Sequence, residues 1–301
     1  MELRHLRTFV VAAEMLHFAR AAEALGVAPP TLTQQVQEIE RNLGAKLFTR
    51  ARRAVALTPA GAVFLTEARA VLARFDRAES VGRRAGRGEI GRIELGYVGS
   101  AAYNGTLQSE LSRFRSSRPE VEIHARELAM PEIAGAVADG SLDVGFVRLP
   151  MDLPSNLGRH ILARDNFCVA LCANHPLAGL AAAVDPRTIA CEAFIAPEQG
   201  SGLDEVARRG DFRPNVVASP GSLVAVVTQV SLGAGVSVIP DVVRSAIHIP
   251  NVVFLQLTGD PIQSEVAAIF RTRDPSAAVQ TFVRQMRRQG RRLRSRPQGD
   301  A

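Results

Sequence analysis

The sequence predicts a multidomain α+β protein: a small helical unit with one β-hairpin, a single long helix, and then two similar α/β lobes. Three observations carry that expectation. Apolar residues recur at helical spacing up to Leu43, residues 59–86 run as one Ala-, Leu-, Arg- and Glu-rich helical pattern, and strand-like and helix-like segments alternate from residue 90 onward.

Leu3, Leu6, Phe9, Val10 and Ala13 mark the first helix. Phe18, Ala21, Ala22 and Leu25 mark a second, and Gly26 supplies the turn after it. A third helix begins near Pro30 and turns Leu32, Val36, Ile39 and Leu43 inward before Gly44 stops it. Its outward positions are Thr31, Thr33, Gln34, Gln35, Gln37 and Glu38. Most of these are uncharged groups that both donate and accept hydrogen bonds, as reading base edges in a major groove requires. A purely structural helix more often carries Lys and Glu there. The next segment, LGAKLFTRARRAVALTPAG, spaces Lys46, Arg50, Arg52 and Arg53 between short apolar pieces, which suits a hairpin lying along phosphates.

Thr58 followed by Pro59 is a cap and first-turn proline, so a long helix starts there. Leu65, Ala68, Leu72 and Phe75 form a narrow apolar seam on a helix about 40 Å long. Such a seam needs a partner, either the same helix of a second chain or the helix's own domain. RRAGRGEIG then breaks the pattern as a linker.

Beyond it, IELGYVG, VEIHAREL and LDVGFVRL read as strands separated by helices, which implies a parallel sheet with crossover helices. A second set starts near Phe167 with FCVALCA, a helix start at Asp185-Pro186, the strand AFIAP, a helix through Glu205 and a short strand around Val216. LVAVVTQVSLGAGVSVIP supplies its last helix and strand, SEVAAIFRT one more strand, and Ala277 to Arg288 a final helix.

Composition narrows the function. The chain has 301 residues, 47% of them hydrophobic, with no apolar run of the ~20 residues that cross a bilayer, so a soluble cytoplasmic protein is expected. The net charge is +6, distributed as +5 over residues 1–89, −5 over 90–283 and +6 over 284–301. A basic amino-terminal module on an acidic body fits one part facing a polyanion. Cys168, Cys172 and Cys191 are too few for a disulfide framework, and the first two, on one strand face about 13 Å apart, are too distant to share a metal. Buried reduced thiols are expected, with no metal and no cofactor. No GxSxG, HExxH, phosphate loop or dinucleotide fingerprint occurs, so the chain does not read as an enzyme. The last two thirds would also suit a solute-binding protein, but the amino terminus lacks an export leader.

MELRHLRTFVVAAE, FARAAEALGVAPPTLTQQVQEIERNLGAKLFTRARRAVALTPAG and the helix after them resemble the amino-terminal region of LysR-type transcriptional regulators. GRIELGYVGS, LDVGFVRL, VALCANHPLA and SLGAGVSVIPD resemble successive landmarks of that family's effector domain. The resemblance implies a winged helix-turn-helix over 1–58 and a dimerising linker helix over 59–89. It also implies a two-lobed effector domain like a periplasmic solute-binding protein, with lobe 1 from 90–163 and 263–301 and lobe 2 from 164–262. The crossings then fall near Leu162 to Arg164 and Thr258 to Ile262. The implied partners are double-stranded promoter DNA, a small-molecule effector and further copies of the chain, as a dimer of dimers.

Two departures from the family pattern bear on DNA reading. Val27-Ala28-Pro29-Pro30 stands where Ser-Gln-Pro is usual, and Thr33-Gln34 replaces a frequent Ser-Arg pair, exchanging a guanidinium for an amide. The DNA-contacting set is therefore expected to be Pro30, Thr31, Thr33, Gln34, Gln35, Gln37, Arg50, Arg52 and Arg53. In the first lobe a strand runs into Gly99-Ser100-Ala101 and a helix start, whose free N–H groups suit a carboxylate. Arg148 either pairs with that anion or forms a structural ion pair. The second lobe is expected to offer Pro197, Gln199, Gly200 and Ser201. GYVGSA and FVRLP look most like the branch answering to benzoate, muconate and related acids, although Met130 replaces a hydroxyl residue of that branch.

Overall fold

The computed structural model describes residues 1–51, 54–179 and 183–294. It divides into two compact units, Met1–Arg84 and Ala85–Ala301.

The first unit opens with α1 (Leu3–Met15), α2 (Phe18–Ala24) and α3 (Pro29–Leu43). His17 caps α2 by accepting the Arg20 amide, while the Pro29-Pro30 start and the left-handed Gly44 bound α3. Phe9, Ala21, Ala22, Leu32, Val36 and Ile39 are all fully buried where the three helices meet. Leu43 is not: it stays exposed, because Gly44 ends the helix before that turn reaches the core. Strands β1 (Phe48–Ala51) and β2 (Ala54–Leu57) pair antiparallel, and Phe48 packs edge-on against Phe9 and Phe18 with ring centroids 5.5 and 5.1 Å apart.

Glu40 ties this hairpin to α3. Its Oε1 accepts the Leu47 and Phe48 amides at 2.9 and 3.4 Å, and Lys46 Nζ donates to Oε2 at 2.9 Å. Burial pushes the carboxyl up, but these three donors outweigh it and hold it below the ordinary carboxylate range. A lowered folded pKa means that this stabilisation is present above the ordinary value and disappears as pH falls through the folded one. Glu40→Ala, which strands two backbone donors, is expected to cost about 1–3 kcal/mol and to flatten the acid limb of stability against pH. Coincident acid limbs for variant and parent, followed by thermal melting, would remove Glu40 from this role.

Helix α4 (Pro59–Gly86) starts on Thr58, whose hydroxyl accepts the Gly61 amide at 2.9 Å. A Cβ at Gly61 would stand 2.1 Å from the Leu47 carbonyl oxygen, so only glycine lets the helix approach this closely. The seam of α4 faces its own unit: Ala68 is buried, Leu65 and Leu72 pack on the helical core, and Phe75 lies under the Arg7 guanidinium. Val63, Val71 and Val81 are left exposed.

The second unit runs β3 (Ile90–Tyr97), α5 (Gly99–Ala102), α6 (Thr106–Ser117), β4 (Glu120–Glu127), α7 (Met130–Asp139), β5 (Val144–Leu149) and β6 (Leu157–Cys172). It continues through β7 (Ala193–Ile195), α8 (Ser201–Gly210), β8 (Asn215–Ala218), α9 (Leu223–Ser231), β9 (Ser237–Pro240) and α10 (Val242–Ala246). β10 (Val252–Gln256), β11 (Gln263–Arg271) and α11 (Ala277–Arg294) complete it.

The sheet is mixed rather than parallel throughout. β3 pairs parallel with β4 and β5, whereas β11 lies antiparallel between β5 and β6. β11 fills that place because the chain has left for the other lobe and returns. The sixteen-residue β6 is itself one crossing: residues 157–166 pair with β11, then Phe167 onward pairs with β9 and β10. The change of partners falls at Asn166 and Phe167, slightly beyond the expected Leu162 to Arg164. Residues 257–262 form the return, with the Phe167 amide bonded to the Ile262 carbonyl at 2.9 Å. Asp185-Pro186 starts only a short 3-10 turn, Pro186–Ile189, instead of a full helix. One lobe's core lies around β3, β5 and β11, and two further clusters lie around β6, β7 and β9.

Candidate functional site

The first unit presents a polar helix face. On α3, Pro30, Thr31, Gln34 and Gln37 are exposed, while Thr33, Gln35 and Glu38 are half-buried. Gln35 is partly spoken for: its Oε1 accepts the Thr8 hydroxyl at 2.6 Å, which locks its amide against α1. Arg50 lies on β1 opposite Val55. Arg52 and Arg53 lie outside the described residues. An exposed row of amides and a hydroxyl on a firmly packed helix, beside a hairpin rich in arginine by sequence, is chemistry suited to base edges and phosphates.

In the second unit a cavity of about 240 Å³ opens between the lobes. It gathers Gly99, Ser100, Met130 and Arg148 from one lobe with Pro197 and Gln199 from the other. Ala101 is absent from its walls, being fully buried in the lobe core. Gly200 and Ser201 start α8 and are also absent from the walls, although the Ser201 hydroxyl is buried without a partner among the described residues.

Arg148 is wholly buried, and its charge is already matched. Its Nη1 donates to Asp165 Oδ1 at 2.8 Å and Ser264 Oγ at 2.7 Å, and its Nη2 to Asp165 Oδ2 and the Ser100 carbonyl, both at 3.0 Å. This bidentate pair is the structural ion pair left open by the sequence, so the guanidinium is not a free anion partner. Gln199 is similarly committed: Nε2 donates to the Leu149 carbonyl at 3.0 Å and Oε1 accepts the Ser264 hydroxyl at 3.2 Å. Gln199, Ser264, Arg148 and Asp165 thus form one chain of bonds from lobe to lobe beside the crossing.

Four polar side chains of the cavity were not singled out from the sequence: Tyr103, Glu127, Glu198 and Ser222, whose hydroxyl caps α9. Glu127 ends β4 beside β3, and the rule that ligands meet the carboxyl ends of parallel strands would have found it. A Cβ on Gly99 would stand 2.6 Å from Glu127 Oε1, so glycine there makes room for the carboxylate. Glu198 Oε2 accepts the Met130 amide at 3.4 Å. Burial, ahead of the nearby Glu127 and Glu132 charges, pushes Glu198 above the ordinary carboxylate range. Burial and Glu127 together push Tyr103 up as well.

Residues 3–62 match the model described as "Bacterial regulatory helix-turn-helix protein, lysR family", and residues 86–291 match "LysR substrate binding domain". The chain belongs to the LysR family. It is a DNA-binding transcriptional regulator with an effector-binding domain, and the matched domains are those of regulators rather than enzymes. Among LysR-family relatives it is 33% identical over 288 residues to "HTH-type transcriptional regulator BudR" of Raoultella terrigena, covering 94% of this chain and 99% of that one. It is 35% identical over 250 residues, 80% of this chain and 82% of the other, to "Uncharacterized HTH-type transcriptional regulator YnfL" of Escherichia coli (strain K12). Full-length CbnR complexed with its target DNA superposes with a TM-score of 0.76 at 26% identity, covering 96% of this chain and 99% of that one. Among the described residues no helix is long and apolar enough to cross a membrane.

Proposed function

We propose that this regulator reads promoter DNA with α3 and the adjoining hairpin, and that a small molecule bound between the lobes changes how it does so. The observation that carries the reading is the exposed row Thr31, Gln34 and Gln37 on a helix whose opposite face, Leu32, Val36 and Ile39, is wholly buried. Pro30, Thr33 and Gln35 flank that row, and Arg50, Arg52 and Arg53 supply phosphate contacts. In this reading residues 1–58 are the DNA-binding module, 59–89 the linker helix, 90–163 with 263–301 one effector lobe, and 164–262 the other.

The protein works in the cytoplasm as an oligomer of at least two chains, because two-fold operators demand two recognition helices. Exposed Val63, Val71 and Val81 give α4 an apolar face for that pairing. The effector contacts Gly99, Ser100, Met130 and Pro197 in the cleft and acts through differential affinity for two lobe arrangements. A footprint of the full chain on the DNA upstream of its own gene tests the reading. Protection of two half-sites about one helical turn apart is expected. No protection of any sequence at low ionic strength would overturn it.

A further inference from the structure

A cavity's occupant is constrained by which charges its walls leave unpaired. In this cleft the single guanidinium among the walls is neutralised by Asp165, so it brings no net positive charge. Two carboxylates, Glu127 at the end of β4 and Glu198 ahead of α8, face the same space from opposite lobes. Among the described residues Glu198 receives one long backbone bond, from Met130, and its neighbours Glu127 and Glu132 repel it. A ligand carboxylate entering here would meet two like charges in a partly desolvated site and no free cation.

A second feature points independently to a ligand. Arg148 is fully buried and lines the cavity, yet its Nε–H has no acceptor among the described residues. Buried donors without partners are uncommon in native structures, and one on a residue of a cavity wall leaves a position for an acceptor, from a ligand or from water. The remaining walls include Val98, Leu128, Met130, Leu223, Pro197 and Pro240, which suit an apolar body. The cavity volume of about 240 Å³ restricts that body to a small molecule.

We propose that the effector is a small organic cation, an amine or amidine whose charged nitrogen sits between Glu127 and Glu198, with an apolar body along Met130 and Leu223. This replaces the expectation of an organic anion and rests on the reading of the cleft as the effector site. The ammonium supplies donors to Glu127 and adds to the single long backbone bond that Glu198 accepts from Met130. Because the two carboxylates belong to different lobes, a shared cation draws the lobes together. That is the differential contact an effector needs in order to bias closure.

Calorimetric titration and thermal melting of the full chain with benzylamine, benzyl alcohol and benzoate test the charge on one common ring. 1,4-Diaminobutane and succinate do the same for a flexible body. The amines are expected to bind and raise the melting temperature, and the matched carboxylates to do neither. Glu127→Gln with Glu198→Gln should weaken amine binding at least about tenfold, roughly 1.4 kcal/mol. Glu198→Lys should reverse the preference, so that benzoate binds better than benzylamine; a merely structural Glu198 would not produce that exchange. Tighter binding of a carboxylate than its matched amine by the unaltered chain, no binding of either amine, or amine binding indifferent to both glutamine changes would each overturn the proposal. Footprinting of the same preparations separates the two levels of failure. Benzoate binding with DNA protection intact removes only the charge assignment, whereas loss of DNA protection by the unaltered chain removes the regulator reading itself.

Discussion

Asp165→Leu is expected to destabilise the Ala85–Ala301 unit by about 3–5 kcal/mol, the cost of leaving one member of a buried ion pair uncompensated. For a unit of this size that lowers its melting transition by on the order of 10 °C. Arg148 is completely buried on β5, and Asp165 reaches it from β6 across the end of β11, where Ser264 adds a further acceptor. Removing Asp165 leaves the guanidinium with Ser264 and the Ser100 carbonyl alone, neither of which carries a charge. The pair's net worth is far smaller than that loss, because both ions were desolvated to form it. Arg148→Met combined with Asp165→Leu should therefore recover much of the stability, while Ser264 and the Ser100 carbonyl keep the recovery incomplete. Thermal and urea unfolding of the four proteins in the cycle measure the coupling. An unaltered transition for Asp165→Leu alone would show that Arg148 does not depend on this carboxylate.

That network also shows where sequence reasoning stops. Arg148 was recognisable as a charged residue ending an apolar strand, but its partner is fixed by the order β5, β11, β6, which depends on the chain returning from the second lobe. Local periodicity carries no information about that return. The first half of β6, LGRHILARDN, gives no strand signal in the sequence, because its charged residues mask the alternation of a strand that is only partly buried. β10 was missed as well; its five residues fall between short loops.

By contrast, α1 to α3 and the Thr58-Pro59 start of α4 were legible, since caps, glycine stops and helical spacing are local signals. The seam of α4 could be read but not assigned, because the same residues satisfy either a partner chain or α1. Glu40 gave no signal: acidic residues on a helix are usually solvated, and only the path of the following turn brings two backbone amides onto it. In the cleft, six of the nine expected residues line the cavity. The glutamates that set its charge carry no local signal, because only the folding of the two lobes brings the end of β4 and the residue ahead of α8 to one space.

Gln34→Ala with Gln37→Ala is expected to abolish most sequence-specific DNA affinity while sparing non-specific binding. Both side chains are exposed on α3, and among the described residues neither makes a hydrogen bond that its removal would break. An amide that makes a bidentate contact to adenine is worth about 1–3 kcal/mol, so losing two costs roughly 2–6 kcal/mol at the operator, while binding to random DNA, carried by phosphate contacts, is unchanged. Gln35→Ala would not give so clean a result, since the Thr8 hydroxyl, on a buried side chain, would lose its acceptor and the helix packing would suffer with the contact. Replacing Arg50, Arg52 and Arg53 with Gln should act in the opposite manner. Affinity would fall on operator and random DNA alike, and the slope of log K against log salt would flatten by about 0.9 for each phosphate contact removed. Titrations of operator and scrambled duplexes at several salt concentrations separate the two behaviours. Equal losses on both duplexes for the glutamine pair would mean that α3 does not lie in the groove, because a helix that reads bases must discriminate between sequences.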